Sequence, residues 1–204
     1  MEHTIFTLIT NITKTSKKNL SFSKSGKYIV FFYNLSGELT FRIKSRGVEL
    51  YIFGLYTGAK KNTFRLKTIQ HPLAPESKSD LYIGGVFGDS STFFHEGLIK
   101  VDRDAQKTHA YQINQNIILS KEVFISSKPD LEILANDVFC THASTTGKLN
   151  KEELFSIQSR GVDRNNSERL MINGFIKNIF RNIETNGRFD ELEKNKKTIL
   201  KQYA

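Results

Sequence analysis

The chain has 204 residues, of which 38% are hydrophobic and 25% charged, with 16 Phe, no Trp, one Cys and a formal net charge of +9. That length supports one sizeable core with a small appendage, and the apolar content excludes a disordered chain. A lone cysteine excludes an internal disulfide framework, and no apolar run nears the ~18 residues of a membrane span.

From Met1 to Asn19 the apolar positions Ile5, Phe6, Leu8 and Ile9 are interrupted by Thr and Asn, and no small-residue cleavage site follows. This is a poor signal peptide, so a cytoplasmic location is expected. Short strands broken by turns then follow. The runs are Lys27–Asn34, Glu38–Lys44, Val48–Tyr56, Asn62–Gln70, Asp80–Phe87, Thr92–Val101, Lys107–Ile113, Asn116–Leu119, Glu122–Ile125 and Leu131–Leu134. Aromatic and β-branched residues fill them, and Gly, Ser and Asn separate them. Asn-Gly and Asp-Gly, the two-residue hairpin signals, are missing from this region, which favours a stacked solenoid over a sandwich or barrel. No strict internal repeat is visible.

The texture changes at Thr145-Thr146-Gly147. Asn150 with Glu153 three residues later resembles a capping box, predicting a helix from Lys151 to about Ser159 that stops at Gly161. A second helix is predicted over about Ser167–Ile183 and broken by Gly187, and a third over about Arg188–Tyr203. In the second helix Leu170, Met171, Gly174, Phe175, Asn178 and Ile179 form an amphipathic stripe, with Leu170, Phe175, Ile179 and Phe180 expected to lie mostly in the core. The domain reading is therefore a β core with N-terminal cap strands over 1–146 and a helical segment packed on it over 147–204.

No catalytic machinery is visible. There is no Gly-x-x-x-x-Gly-Lys-Ser/Thr loop and no nucleophile elbow, and Gly84-Gly85 and Gly88 lack the following helix of a dinucleotide site. His71, His95 and His109 are isolated and are assigned structural or surface roles. Asp102 and Asp104 around Arg103 read as a turn. The basic residues are scattered, as at Lys17-Lys18, Lys60-Lys61 and Lys194 to Lys197. They form no stripe with interleaved aromatics, so nucleic acid is not an expected partner. Dispersed acidic residues likewise argue against a carbohydrate-active solenoid. A basic β-solenoid binding module for nucleic acid or carbohydrate is the alternative reading.

Cys140 and His142 are two apart in a predicted strand, so both side chains share one face. A thiolate and an imidazole there can bind iron or zinc. The competing reading is a buried cysteine acting as a small hydrophobe beside a hydrogen-bonded histidine. One cysteine cannot hold an iron–sulfur cluster alone, since such clusters need about four ligands.

A resemblance covers the region from about Phe94 to Phe180, and more loosely Tyr28 to Phe93. Phe94 to Val101, with Gly97, Ile99 and Val101, is followed by Ala105, Thr108, Ala110 and Gln112. Then come Asn116-Ile117-Ile118-Leu119-Ser120, Pro129-Asp130-Leu131-Glu132-Ile133 and Asn136-Asp137-Val138-Phe139-Cys140-Thr141-His142. Leu154-Phe155, Ser159-Arg160-Gly161 and Gly174-Phe175 complete the series. In order and spacing these motifs resemble the SufB/SufD family of iron–sulfur cluster assembly scaffolds, in a short form. Gln115 stands near the place where SufB-type members carry a functional cysteine, so the SufD type is the better match.

The resemblance implies a mainly β fold, a right-handed parallel β-helix followed by a C-terminal helical segment. It implies a non-catalytic scaffold that pairs with a SufB-like subunit or with itself, and a SufC-like ABC ATPase docking on the helices, with Arg160 a candidate contact. Cys140 and His142 then become candidate metal ligands at an interface. Iron or a transient cluster would be held between chains, and nothing stably by one chain alone. If two copies pair through the same edge, two cysteines and two histidines meet near a two-fold axis.

Overall fold

The strand Gly26–Tyr33 carries Ile29, Val30, Phe31 and Phe32 in succession, and all four are fully buried. A strand apolar on both faces belongs to a parallel sheet covered on both sides. The computed structural model describes residues 4–9 and 17–203, and the signal-peptide reading of Met1 to Asn19 falls partly outside them. Within them the strands are β1 (Ile5–Ile9), β2 (Lys17–Phe22), β3 (Gly26–Tyr33), β4 (Gly37–Ile43), β5 (Val48–Gly58) and β6 (Thr63–Pro72). They continue with β7 (Lys78–Phe87), β8 (Thr92–Val101), β9 (Thr108–Ile118), β10 (Phe124–Ile133) and β11 (Val138–Gly147). The helices are α1 (Lys151–Gln158), α2 (Arg164–Glu184) and α3 (Asp190–Leu200).

Odd-numbered strands form one parallel sheet in the order β1-β3-β5-β7-β9-β11, and even-numbered strands form a second in the order β2-β4-β6-β8-β10. The chain alternates between the two sheets, which makes a β-solenoid with one strand from each sheet per coil. This is the mainly β, parallel β-helix class followed by helices that the sequence led us to expect. The coils are unequal. Ile5 pairs with Tyr28 and Tyr28 with Leu50, steps of 23 and 22 residues. Leu50 pairs with Ser79, Ser79 with Ala110 and Ala110 with Cys140, steps of 29, 31 and 30. A jump in coil length hides the repeat from any fixed-period reading.

Side chains at alternate positions point between the sheets. In the first coils these are Val30, Phe32, Leu39, Phe41, Leu50, Ile52 and Tyr56, one apolar core. The Tyr56 hydroxyl is satisfied inside it, donating to the Leu35 carbonyl at 2.6 Å. The other face of the odd sheet presents Ile29, Phe31, Phe53, Leu55 and Val86 to Ile172, Ile176, Ile179, Phe180 and Ile183 of α2 and to Leu192 and Ile199 of α3. Gly84 permits this contact, because a Cβ there would lie 2.4 Å from Ile179 Cδ1.

The outer face of the even sheet is solvated. Its central row runs Lys17, Glu38, Lys67, Glu96, Lys128 across five neighbouring strands. Alternating charge at directly opposed positions is favourable, and Lys17 reaches Glu38 at 3.4 Å. This face carries no continuous basic stripe.

Three expectations need correction. Lys107–Ile113 and Asn116–Leu119 are one strand, β9, and Glu122–Ile125 and Leu131–Leu134 are joined in one strand, β10. In β9 Asn114 and Asn116, whose residue type reads as a turn former, are inward-facing side chains, whereas Gln115 faces outward. In β10 Pro129 is tolerated because the strand lies at a sheet edge. The buried stripe of α2 is Ile172, Ile176, Ile179, Phe180 and Ile183, whereas Leu170 is exposed and Phe175 only partly covered. Two overlapping 3–4 stripes exist in this segment, and the sheet takes the one without Gly174 and Asn178. The helix caps are as read: Asn150 Oδ1 accepts from the backbone N–H groups of Glu152 (2.8 Å) and Glu153 (3.2 Å). Gly161, at φ +86°, follows the end of α1.

Candidate functional site

The last coil has no neighbour beyond it among the described residues. β10 and β11 each pair on one side only, with β8 and β9. Such edges offer unpaired backbone groups to another chain. The rim adds exposed apolar side chains, namely Leu131, Ile133 and Leu134 at the end of β10 and Phe139, 63% exposed, on β11.

The register places Cys140 over Ala110 and His142 over Gln112, and both of those lower residues face the interior. Cys140 and His142 therefore share the inner face of β11, ~6.7 Å apart along the strand. They are reachable because no described residue covers this coil. Cys140 is half-buried against a small apolar cluster of Ile99, Val101, Ala105, Ala110 and Ala135. Burial pushes its thiol above the ordinary value, partly offset by a backbone hydrogen bond at Ala110. The thiolate form thus needs a cation to stabilise it. His142 is exposed. Cys140 thus packs as a small hydrophobe, and His142 beside it is exposed.

The other candidates stay apart. His71 Nε2 meets Asp102 Oδ1 at 3.0 Å on the outer face of the even sheet. His95 is buried with Nε2 3.0 Å from Thr68 Oγ1, and desolvation lowers its pKa to about 4, so it is neutral. His109 lies against the Phe139 ring. Gln115 faces outward and accepts from the Tyr82 hydroxyl at 3.0 Å. Among the described residues no three His, Cys, Asp or Glu side chains gather to hold a metal ion. One chain offers two suitable donors at this end, half of a tetrahedral set.

A second surface lies on the helices. α1 buries none of its residues, Phe155 is 72% exposed and Leu170 54%. Between the β11–α1 connection and α2 runs a groove of about 460 Å³ lined by Leu149, Glu153, Met171, Gly174 and Phe175. Gly174 is exposed in mid-helix with nothing within 4 Å of where its Cβ would be. Glycine there costs roughly 1 kcal/mol against alanine, and no contact among the described residues requires it.

The sequence reading missed the residues beneath the inner face of β11 from His142 to Thr146. Gln112, Asn114 and Asn116 are buried amides on the inner face of β9. The period-2 polar row in Gln112-Ile113-Asn114-Gln115-Asn116 was the available signal.

An all-parallel two-sheet solenoid, ending in an uncovered coil that presents a thiol and an imidazole and followed by three helices, defines the structural class. Residues 4–175 match the family described as SUF system FeS cluster assembly, SufBD core domain, and the chain belongs to that family. Two similar proteins are the iron–sulfur cluster assembly proteins SufD of Escherichia coli and of Bacillus subtilis, each 33% identical. These matches span 44% and 45% of this chain and 21% of each relative. An iron–sulfur cluster assembly SufBD family protein of Mycobacterium leprae is 29% identical over 70% of this chain and 38% of its own length. The chain thus covers well under two thirds of these relatives. No helix among the described residues is long and apolar enough to cross a membrane.

Proposed function

We propose that this chain is a non-catalytic scaffold subunit of iron–sulfur cluster assembly, and that its last coil is half of a composite site. The observation that carries the reading is the uncovered inner face of β11, where Cys140 and His142 project side by side between two free strand edges. Pairing through these edges with a second copy or a SufB-like subunit would cover Leu131, Ile133 and Phe139 and bring the remaining ligands. Iron or a nascent cluster is the cargo of this site. The groove around Gly174, with Phe155 and Leu170 beside it, is the surface on which an ABC-type ATPase docks. A glycine that the chain itself does not need makes sense where another backbone approaches closely.

Anaerobic iron binding and cluster reconstitution, with and without the ATPase and a SufB-like subunit, test the reading. The Cys140→Ala, His142→Ala double variant is expected to lose iron at the interface while still pairing. Unchanged iron binding in that variant overturns the composite site. The alternative of a nucleic-acid module finds no support on the even sheet, where charges of opposite sign alternate strand by strand.

A further inference from the structure

The interior changes character along the solenoid axis. The first coils enclose Phe and Leu, whereas the last ones enclose amides. Gln112, Asn114 and Asn116 succeed one another on the inner face of β9, and Gln70 joins them from β6 in the opposite sheet, each no more than 3% exposed. Three of these amides have partners for their NH₂ groups. Gln70 Nε2 donates to the Ser79 carbonyl and hydroxyl, both at 2.8 Å. Asn114 Nδ2 donates to Ser127 Oγ at 3.0 Å, and Asn116 Nδ2 to Thr146 Oγ1 at 3.4 Å.

The carbonyl oxygens are another matter. Those of Gln70, Gln112, Asn114 and Asn116 are buried, and none has a donor within reach among the described residues. The Ser79 carbonyl fixes the orientation of Gln70, since only the NH₂ group can pair with it. Buried polar groups in native proteins are almost always satisfied, by protein or by ordered water. Four unmet acceptors in one compartment define a site for a hydrogen-bond donor.

The donor's chemistry follows from its surroundings. The titratable group within this layer is His95, which is neutral, and the rest of the layer is Thr68, Ser79, Ser127 and amides. A neutral donor fits better than a cation. Successive inward residues of β9 are ~6.7 Å apart, a little over two water-to-water hydrogen bonds. We propose that the interior of the last coils binds a file of ordered water molecules on the carbonyl oxygens of Gln70, Gln112, Asn114 and Asn116. The file lies beneath the inner face of β11 from His142 to Thr146, since His142 sits over Gln112, Ser144 over Asn114 and Thr146 over Asn116, whereas Cys140 sits over Ala110 in an apolar cluster. Solvent then reaches the inner side of His142 even when another chain covers the open end. The water site stands independently of whether metal binds.

Oxygen-17 magnetic relaxation dispersion of the full chain reads long-lived internal waters directly. The parent is expected to show several, and Gln112→Met and Asn116→Leu each to show fewer, with lower thermal stability because a bound water loses its acceptor. An unchanged signal in both variants, or variants more stable than the parent, means a dry compartment and overturns the proposal. Should a variant fail to fold, a high-resolution crystal structure of the parent decides. Density within hydrogen-bond distance of the four oxygens supports the file, and its absence refutes it.

Discussion

The environment of Cys140 fixes how it must behave in solution. Because burial raises its thiol, alkylation by iodoacetamide is expected to be slow at neutral pH and to rise with a midpoint above that of a free cysteine. A midpoint below neutrality would mean an activated thiol, which nothing around it provides. Binding of zinc or iron should displace the thiol proton, so metal uptake should strengthen as pH rises. His95 acts on the fold instead. Its folded-state pKa is about 4 against about 6.5 in an unfolded chain, so the unfolded state binds the extra proton first. Stability is complete above pH ~6.5 and falls as pH drops toward ~4, by about 3 kcal/mol at most. Urea unfolding across that range should show the slope, and His95→Gln should flatten it while keeping a partner for Thr68.

Among the elements, α2 is the clearest test of how sheet and helix fit. Gly84→Val drives a branched side chain into Ile179 and should cost about 1–3 kcal/mol. Gly147→Ala, at a position with nothing within 4 Å, should be nearly neutral. Gly174→Ala should stabilise the isolated chain by roughly 0.5–1 kcal/mol and weaken ATPase co-purification. A gain in stability with unchanged docking would move the contact elsewhere. Most strands from β3 onward were legible as runs, because aromatic and β-branched residues crowd them and Gly or Ser separates them. The caps at Asn150 and Gly161 and the break at Gly187 were legible because their chemistry is local. The continuity of β9 was not, since Asn114 and Asn116 carry turn chemistry in sequence and reveal an inward role only once β7 and β11 flank them. The Cys140–His142 pair was legible from its spacing of two. Its exposure was not, because it depends on β11 being the last strand of the described solenoid.

For the whole molecule, the uncovered coil predicts association. Phe139→Asp combined with Leu131→Lys should abolish pairing, whether with itself or with a SufB-like chain, as read by sedimentation velocity at several concentrations. Iron binding should fall with pairing if the site is composite, and should persist in monomers if one chain suffices. The alternating charges on the even sheet make that face a poor candidate for such contacts. A second copy laid squarely upon it would meet like charges rung for rung.

The passage from an aromatic interior to an amide one has a consequence for how the molecule breathes. In a stacked array each coil is held mainly by its neighbours, and local opening follows local burial. Backbone amides of β3 and β5, enclosed by the first core and by α2, should exchange with deuterium only through global unfolding. Those of β10 and β11 should exchange orders of magnitude faster, through fraying of the terminal coil. A partner seated on that coil would slow exchange in β10 and β11 and leave β3 and β5 untouched. β11, which carries the thiol and the imidazole, is thus among the first strands to loosen, and under the proposed function capture and release of cargo would proceed while the rest of the solenoid stays closed.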